Sequence, residues 1–442
     1  MNLEYAVTQQ PVRWEKSLQV ILILALGWVL YASVSGEVFQ PLWDSLMNRH
    51  WPHNILLPSL WWAVMGLLLV GYRTLLWFRY QVFASATHEN APLLTVIIPA
   101  YNEGLMVEKT IDSVAAAHYP AGRLEIFVVD DGSRDDTWDY ISRAAQRHPG
   151  LVTTLRFPDN RGKRAALATG FRRARGEVLL TIDSDSVIEQ DTLLAVTGPF
   201  SDPRVGAVAG RVSVFNRREG LIPRMLHVRF ILSFDFLRAA ESTYRTVYCC
   251  PGALAGYRTS VVREVLPQWE TQTFLGAACT FGEDRALTNY ILQAGYDSVY
   301  QRSAVVYTIV PTTYWKLSKM LLRWDRSYVR EELRLARILW KRPLGALITT
   351  LVERTITNLR YPVSFATLAM LLVLIVQDPQ ILIRVTMSIG IMSMLYTLYY
   401  LRSERSLDFV YGIVYAYFAF FSLFWIFPYA VLTARSRSWM TR

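Results

Sequence analysis

Cysteine is scarce in this chain of 442 residues, which contains only Cys249, Cys250 and Cys279. Three cysteines do not make a disulfide framework, so a reduced compartment such as the cytosol is the simplest environment for them. The adjacent pair precedes Pro251 and Gly252, and the sequence offers it no further metal ligands. Buried thiols at the end of a strand are therefore favoured over a metal or redox site.

Nucleic-acid-binding signatures are also absent, although the formal net charge is +10. The sequence has no Cys/His finger spacing, no RNA-binding signature and no basic tail, so nucleic acid is not an expected partner. A positive excess of this kind suits a lipid bilayer with anionic headgroups and a phosphorylated substrate.

Long apolar runs are missing from the middle of the chain and occur only at its two ends. With 52% hydrophobic residues, the chain is too apolar for a wholly soluble enzyme, yet residues 79–342 have the composition of a globular domain. Runs of about 20 residues are long enough to cross a hydrocarbon core of roughly 30 Å. We expect membrane spans at residues 18–34, 55–78, 361–377, 381–401 and 409–432.

Charges around the first two spans predict that the globular middle lies in the cytosol. The loop between these spans carries Glu37 and Asp44 against Arg49, whereas Arg73 and Arg79 flank the far end of the second span. Because basic residues collect on the cytosolic side, this end faces inwards. The first span lacks a clean small-residue cleavage site and is not interpreted as a cleavable signal.

The number of C-terminal crossings stays open. Five crossings in all would place the C-terminus outside, but Arg435, Arg437 and Arg442 favour the cytosolic side. Either Pro428 breaks the last segment into a re-entrant or interfacial piece, or residues 344–359 contain a further crossing.

Short apolar runs alternate with helical patterns in the globular middle. This alternation predicts βαβ units, and therefore an α/β fold with a mostly parallel sheet. In such sheets ligands bind at the carboxyl ends of strands, where a short loop leads into a helix. Strands are expected at residues 93–99, 124–129, 151–157, 178–182 and 205–214, and helices at residues 106–117, 136–147 and 163–175.

Acidic residues follow three of the predicted strands. Glu103 follows the first strand, Asp130 and Asp131 follow the second, and Asp183 and Asp185 follow the strand at 178–182. Two carboxylates at positions i and i+2 beside a turn can share one hard cation, which commonly bridges substrate phosphates. A lone Asp-x-Asp is most often a solvated turn, but two acidic clusters at one sheet edge favour a metal site.

A basic turn at residues 160–164, Asn-Arg-Gly-Lys-Arg, begins the helix predicted for residues 163–175. Cations at a helix N-terminus oppose the helix dipole, so an ordinary basic helix start is unfavourable. The turn, the cation and the exposed N–H groups can instead hold a phosphate. Lys163 is therefore a candidate phosphate ligand.

An acidic pair, Glu283 and Asp284, opens another helical pattern after Gly282. Acidic side chains suit a helix N-terminus, and for this pair alone a structural role is the simpler explanation. A carboxylate held there can instead act as a general base. With the metal-competent turns upstream, Asp284 becomes the leading catalytic candidate, and Glu283 is expected to cap or orient the helix.

Basic residues recur at steps of three or four over residues 314–341 and form one stripe beside an apolar face. The pattern predicts an amphipathic helix at the membrane interface, and residues 218–241 show a second amphipathic pattern. Within the stripe, the indole of Trp324 offers a face for a sugar ring, and the guanidinium of Arg323 suits a pyrophosphate. The stripe comprises Lys316, Lys319, Arg323, Arg326, Arg330, Arg334 and Arg337.

Taken in order, these motifs resemble those of the membrane-embedded family 2 glycosyltransferases. They are Asp-Asp-Gly-Ser, Asp-Ser-Asp, Gly-Glu-Asp-Arg followed by Leu-Thr-Asn-Tyr, Arg-Trp, and the C-terminal Trp439-Met440-Thr441-Arg442. Over residues 93–442 the chain is most similar to the branch of hyaluronan synthases and rhizobial chitin-oligosaccharide synthases. The resemblance implies a nucleotide-sugar transferase domain of the GT-A type, flanked by transmembrane helices.

The resemblance also implies a nucleotide site. Tyr101 and Glu103, together with Asp130 or Asp131, would hold the uridine. Lys163 would approach the nucleotide from its helix. A UDP-sugar is therefore the expected donor.

The same resemblance implies the catalytic and acceptor groups. Asp183 and Asp185 would bind Mg²⁺ or Mn²⁺ on the pyrophosphate. Asp284 would be the general base. Arg323 and Trp324 would close the donor and acceptor sites around a growing polysaccharide.

A C-terminal loop and three departures complete the comparison with the family pattern. Trp439 and Arg442 match a loop that in this branch folds over the nucleotide, which requires a cytosolic tail. Met320 stands where the family has Gln, Pro251-Gly252-Ala253 stands for Ser-Gly-Pro in the acceptor site, and Met440 replaces a Gly. Gly252 keeps its place in that site, but which sugar is used stays open.

The sequence therefore predicts a processive, inverting transferase of the cell inner (plasma) membrane with a cytosolic catalytic domain. It would polymerise UDP-GlcNAc, UDP-GlcA or both into a β-linked extracellular polysaccharide and secrete the product through its own channel. Two alternatives remain: a single-addition transferase acting on a membrane lipid, and a catalytically silent scaffold that binds nucleotide or polymer. The expected segments are a membrane region with two helices at residues 1–80, the transferase domain at 81–310, an amphipathic interfacial helix at 311–345, and a membrane region with a cytosolic tail at 346–442.

Overall fold

A computed structural model describes residues 13–35, 58–377 and 379–437 of the chain. These residues divide into two compact units. The helical unit comprises the described parts of Met1–Phe78, Arg224–Leu232 and Ile348–Phe424, and the sheet unit comprises those of Arg79–Pro223, Ser233–Leu347 and Trp425–Arg442. Trp439 and Arg442 lie outside the described residues.

The α-helices are numbered here in chain order. They are α1 (Arg13–Ser35), α2 (Pro58–Arg79), α3 (Leu105–Ala115), α4 (Thr137–Arg147), α5 (Lys163–Arg173), α6 (Thr192–Thr197), α7 (Leu221–Ile231), α8 (Leu237–Ser242), α9 (Thr259–Glu270), α10 (Glu283–Gln293), α11 (Tyr314–Ile338), α12 (Leu344–Gln377), α13 (Gln380–Glu404), α14 (Phe409–Ser422) and α15 (Ile426–Leu432).

The strands of the sheet unit are β1 (Leu94–Ala100), β2 (Leu124–Asp130), β3 (Val152–Arg156), β4 (Val178–Thr181), β5 (Ser186–Ile188), β6 (Val205–Val214), β7 (Ala255–Arg258), β8 (Thr273–Phe274), β9 (Ala277–Ala278) and β10 (Asp297–Thr308). Eight of them form a mixed sheet in the order β3-β2-β1-β4-β7-β6-β10-β5, and β8 pairs with β9 in a separate hairpin. The four neighbouring strands β3, β2, β1 and β4 are parallel to one another, and β6 is parallel to β10. Strands β7 and β5 are antiparallel to their neighbours. The α/β fold with a mostly parallel sheet is therefore confirmed.

The central strand β1 reads Leu-Thr-Val-Ile-Ile-Pro-Ala, and every one of its residues is buried. A near-continuous apolar, β-branched sequence is typical of a parallel strand that is covered on both faces. β1 lies between β2 and β4, and its last residue, Ala100, pairs with Asp130. The loops that follow these three strands consequently leave the sheet at one edge.

All five predicted strands form within two residues of their expected bounds. The sequence pattern did not predict β5, β7, β10 or the short strands β8 and β9. β10 carries Gln301 and Arg302 in its middle and has an irregular register between Gln301 and Val305, so it shows no long apolar run. Gln301 is buried because its amide donates to the carbonyl oxygens of Phe83 and Ala195 at 3.0 and 3.1 Å. A polar residue whose hydrogen bonds are satisfied can lie in a buried strand, and a hydropathy pattern does not predict such a strand.

Helices occupy all five positions that the sequence predicts as membrane spans. α12 is continuous over 34 residues, so residues 344–359 extend the span predicted at 361–377 and form no separate crossing. The last segment breaks between α14 and α15, ahead of Pro428, whose missing N–H is tolerated in the first turn of α15. Over the described ranges, length and composition qualify Leu344–Val373 as a span, and a second if α14 and α15 count as one broken span.

Residues 221–242 form one continuous helical run, close to the amphipathic segment predicted at 218–241, with a π-helical turn inside it. They form α7, a π-helical turn at Leu232–Phe236, and α8. In the helical unit, Arg224 donates to the Tyr411 hydroxyl at 3.0 Å, and Arg229 donates to the Tyr415 hydroxyl. Tyrosine hydroxyls of α14 therefore accept hydrogen bonds from these two arginines of α7.

Candidate active site

The turn after β1 is tied to the loop after β2 by one hydroxyl. The Ser133 hydroxyl donates to Asp130 Oδ1 at 2.5 Å and accepts the N–H of Asn102 at 3.0 Å. Asn102 adopts a positive φ of 53°, which is less costly for Asn than for most residues. These bonds place Tyr101 and Glu103, both half-buried, at the same sheet edge as Asp130.

Asp131 fixes the turn that begins helix α5. Its two carboxylate oxygens accept the N–H groups of Arg161 and Gly162 at 2.7 and 2.9 Å. Burial raises the pKa of Asp131 to about 6, although the two backbone hydrogen bonds act in the opposite direction. The carboxylate is thus engaged within the chain, and it holds the N-terminus of the helix that starts with Lys163.

Asp131→Asn is expected to flatten the pH dependence of stability between about pH 4 and pH 6. Because the folded-state pKa is raised from 3.8 to about 6, the folded chain binds this proton more tightly than the unfolded chain. The stabilising contribution is complete below the unfolded pKa and is lost as the pH rises through the folded pKa; it amounts to at most about 3 kcal/mol. Thermal unfolding in detergent across this range measures the slope. Asp139→Asn, at an exposed acid of α4, should keep the wild-type slope, and equal slopes in all three proteins would contradict the prediction.

Lys163 joins two carboxylates from different parts of the chain. Its ammonium group forms an ion pair with Asp183 and lies 3.3 Å from Glu283 Oε1. Burial alone would lower the pKa of Lys163, but the charges of Asp183 and Glu283 outweigh burial and raise it. A Cβ added at Gly252 would lie 3.0 Å from Lys163 Nζ, so the absence of a side chain there allows this close approach. The structure thus brings together four residues that are distant in sequence.

Asp284 is the second residue of α10 and is half-buried. Its Oδ2 accepts the N–H of Gly252 at 3.2 Å and the thiol of Cys249 at 3.6 Å, and its Oδ1 accepts the N–H of Arg285 at 2.7 Å. Three donors therefore fix the orientation of the carboxylate. Asp284 and Gly252 line one small cavity, together with Glu283.

The three cysteines are unbridged and buried. For Cys249 and Cys250 the predicted burial is confirmed, but they lie in a loop before β7 and not at the end of a strand. Burial raises the pKa of Cys250 to about 12, and it also raises that of Cys249, so both remain protonated near neutral pH. Sequence inspection did not connect Cys249 with Asp284, because their contact is made by the tertiary fold.

The predicted metal ligands, Asp183 and Asp185, lie in the turn between β4 and β5. Asp185 Oδ1 accepts the hydroxyls of Ser186 and Thr308 at 3.3 and 3.2 Å, whereas Asp183 pairs with Lys163. Within the described residues, no group of three or more His, Cys, Asp or Glu side chains is placed to hold a metal ion. Two carboxylates offer the oxygen ligands that a hard cation takes when substrate phosphates and water complete its shell.

Glu283 is the first residue of α10, whose N-cap is Gly282, and no side-chain N-cap hydrogen bond is formed there. Its carboxylate faces Lys163, and its backbone carbonyl accepts the indole N–H of Trp269 at 2.8 Å. Burial raises the pKa of Glu283, but the charge of Lys163, a hydrogen bond from the backbone N–H of Glu283 itself and the charges of Arg323 and Arg164 outweigh burial and lower it, so the group stays ionised. Its neighbours are therefore those of a charged active-site residue.

Helix α11 packs closely against the loop that begins α10. Arg330 donates to the carbonyl oxygen of Phe281 at 2.8 Å, and its guanidinium carbon lies 4.3 Å from the centroid of the Phe281 ring. Gly282 has a φ of 77° and leaves no room for a side chain beside Ser327 of α11. On the same helix, Trp324 meets Phe234 in an edge-to-face contact with ring centroids 6.3 Å apart.

The basic stripe of α11 contains both buried and exposed residues. Arg326 and Arg330 are buried, and Arg326 Nε donates to the Thr433 hydroxyl at 3.0 Å. Lys316 and Lys319 remain exposed. Buried guanidinium groups require acceptors, and here a hydroxyl of the C-terminal segment and a loop carbonyl provide them.

A buried polar network links α5, α10 and α11. Arg164 donates to Gln272 Oε1 at 3.1 Å, and Gln272 Nε2 donates to Glu331 Oε1 at 2.6 Å. Asn289 Nδ2 donates to Glu331 Oε2 at 3.0 Å. Sequence reasoning missed these four residues, although the arginine next to Lys163 and the Asn in Leu-Thr-Asn-Tyr belong to quoted motifs.

The C-terminal segment reaches the same loop. The Thr280 hydroxyl donates to the carbonyl oxygen of Arg437, the last described residue, at 2.8 Å. The segment that contains Trp439 and Arg442 follows directly in sequence.

Comparisons with known proteins agree with this architecture. The model of the family described as Glycosyl transferase family 2 matches residues 95–266. An N-acetylglucosaminyltransferase of Rhizobium meliloti (strain 1021) is 35% identical over 277 residues, which are 61% of this chain and 65% of that protein. A hyaluronan synthase of Streptococcus pyogenes is 34% identical over 295 residues, which are 65% of this chain and 69% of that protein. Other rhizobial N-acetylglucosaminyltransferases are matched over 55% to 57% of their length.

Among solved structures, a mannosyltransferase from Pyrobaculum calidifontis in complex with GDP-Man and Mn²⁺ superposes with a TM-score of 0.56 at 24% identity. The superposition covers 80% of this chain and 99% of that chain. At this identity the likeness supports the fold alone.

Proposed function

Because this chain belongs to the family 2 glycosyltransferases, in the branch of rhizobial N-acetylglucosaminyltransferases and hyaluronan synthases, we propose that it transfers a hexose from a UDP-sugar to a growing polysaccharide. The observation that carries the proposal is the convergence of Asp284, Lys163, Asp183 and Gly252 at the carboxyl edge of the sheet. A base, a cation and metal-competent carboxylates are the groups that a single displacement at a sugar carbon requires.

Asp284 is assigned as the general base. It takes the proton of an acceptor hydroxyl while that oxygen forms a bond to C1 and the bond from C1 to the UDP oxygen breaks. One displacement inverts an α-linked donor, so the product linkage is β. The hydrogen bonds from Gly252 and Arg285 support this role because they hold the carboxylate in place before the acceptor arrives.

The departing diphosphate is assigned to Lys163, Arg323, Asp183 and Asp185. The two aspartates would hold Mg²⁺ or Mn²⁺, which neutralises negative charge on the leaving phosphates. Lys163, whose raised pKa keeps it protonated, supplies a fixed positive charge at the same place. Tyr101, Glu103 and Asp130 or Asp131 are assigned to the uridine. Trp439 and Arg442, which lie outside the described residues, are also assigned to the nucleotide.

Trp324 is assigned to the acceptor sugar. Its contact with Phe234 fixes the indole, and an ordered aromatic face suits a pyranose ring. The product would then leave through helices of the C-terminal region in a multi-pass protein of the inner (plasma) membrane, with the sheet unit in the cytosol. The segments at 1–80, 81–310, 311–345 and 346–442 remain the proposed functional divisions.

Incubation of the purified protein with UDP-sugars and Mn²⁺, singly and in pairs, tests this function. We expect UDP release and a membrane-retained polymer, with both stopped by a chelator. A requirement for UDP-GlcA beside UDP-GlcNAc would indicate hyaluronan, and turnover of UDP-GlcNAc alone would indicate a chitin-like product. A lipid-linked monosaccharide as the product would instead support a single-addition transferase. If no donor released UDP, the result would favour a catalytically silent scaffold.

A further inference from the structure

One oxygen of the Glu283 carboxylate is buried without a donor among the residues that the structure describes. Its Oε1 lies 3.3 Å from Lys163 Nζ, but its Oε2 receives no hydrogen bond. Only 5% of the residue is exposed. A buried acceptor without a partner is destabilising, and more so when it is charged. Such an atom in a candidate active site indicates a donor that comes from outside the chain.

The missing group must donate a hydrogen bond. Glu283 is held ionised by Lys163 and neighbouring arginines, and an ionised carboxylate can only accept. The phosphates of a nucleotide are themselves acceptors with negative charge and do not meet this requirement. A sugar hydroxyl or a water molecule does, and the binding measurements below distinguish between them.

The position of Glu283 selects which sugar supplies that hydroxyl. Lys163 joins Glu283 to Asp183, on the side assigned to the diphosphate, and Asp284 follows Glu283 directly on α10. In a single displacement, C1 of the transferred sugar lies between the leaving phosphate oxygen and the acceptor oxygen at the base. The ring that comes next to Glu283 is therefore that of the donor.

We propose that Glu283 accepts a hydrogen bond from one hydroxyl of the transferred sugar through Oε2, and thereby contributes to donor specificity. The inference rests on the proposed transfer from a UDP-sugar. It gives Glu283 a role beyond the capping or orienting one that its sequence position suggests.

Binding measurements test the inference without turnover. Calorimetry with Mn²⁺ compares UDP, UDP-GlcNAc and the 3-, 4- and 6-deoxy analogues of UDP-GlcNAc on the wild type and on Glu283→Gln. On the wild type, one deoxy analogue is expected to bind about 10- to 100-fold more weakly than UDP-GlcNAc, because it leaves a charged acceptor unpaired. On Glu283→Gln this difference should disappear while UDP alone keeps its affinity. Lys163→Gln is the comparison variant and should weaken UDP and UDP-GlcNAc equally.

The outcomes separate this inference from the function on which it rests. Equal weakening of UDP and UDP-GlcNAc by Glu283→Gln would show that Glu283 acts only through Lys163, and unchanged discrimination would show that water pairs Oε2; either result overturns the inference alone. Failure of the wild type to bind any UDP-sugar would defeat the proposed function. If Glu283→Gln does not fold, Glu283→Asp keeps the charge with a shorter reach and should keep UDP binding while losing the discrimination.

Discussion

Replacing Asp284 with Asn is expected to lower kcat by about 10²- to 10⁴-fold, the usual contribution of a positioned general base, with UDP binding nearly unchanged. An amide keeps the shape of the carboxylate but cannot take the proton of an acceptor hydroxyl. Its one oxygen can accept the N–H of Gly252, which now lies 3.2 Å from Oδ2, or the N–H of Arg285, which lies 2.7 Å from Oδ1, but not both, so thermal unfolding in detergent should accompany the rate measurement. UDP release at saturating donor measures kcat, and calorimetry with UDP measures binding.

Asp139→Asn is the matched control for this change. Asp139 also lies in the first turn of a helix, α4, so the substitution removes the same favourable charge near a helix N-terminus. Full activity is expected, because Asp139 contributes none of the contacts at the sheet edge described above. Transfer near the wild-type rate in Asp284→Asn, or an equal loss in Asp139→Asn, would remove Asp284 from the role of base.

The carboxyl-edge residues could be located from the sequence because each follows directly on an apolar run. Asp130 and Asp183 follow strands whose parallel neighbours are set by short βαβ connections, so their common edge is a consequence of local pattern. Their partners could not be predicted in this way. Lys163 meets Glu283 only because α5 and α10 converge in the folded chain, and no spacing in the sequence records that contact.

Periodicity also shows that a helix has faces without showing what each face meets. The spacing of Arg326 and Arg330 places them in the basic stripe of α11, but it does not show that the Thr433 hydroxyl and the carbonyl oxygen of Phe281 accept their hydrogen bonds inside the sheet unit. β10 was missed for a related reason, because Gln301 looks exposed by composition and is satisfied by two backbone carbonyls. In both cases a polar side chain is buried because a group distant in sequence accepts its hydrogen bond, and the hydropathy of the sequence does not indicate that partner.

Gly282→Ala is expected to lower kcat by about 10²-fold, the cost of a catalytic group displaced by about 1 Å. A Cβ at this position would lie 2.6 Å from Ser327 Cβ and closer still to Ser327 Oγ, so the start of α10 must move away from α11. Glu283 and Asp284 are the next two residues and would move with it. Initial rates of UDP release measure the effect, and thermal unfolding in detergent reports the accompanying loss of stability.

Two further variants separate the steric clash from backbone strain. Gly276 has a φ of 76°, almost the value of 77° at Gly282, but a Cβ there would meet nothing within 4 Å. Gly276→Ala therefore carries only the cost of a left-handed Ala, about 1–2 kcal/mol, and should leave kcat close to wild type. Ser327→Gly removes the atoms that the new Cβ would strike, so the double variant Gly282→Ala/Ser327→Gly should regain most of the lost rate. A large loss in Gly276→Ala, or no recovery in the double variant, would show that packing against α11 does not position Asp284.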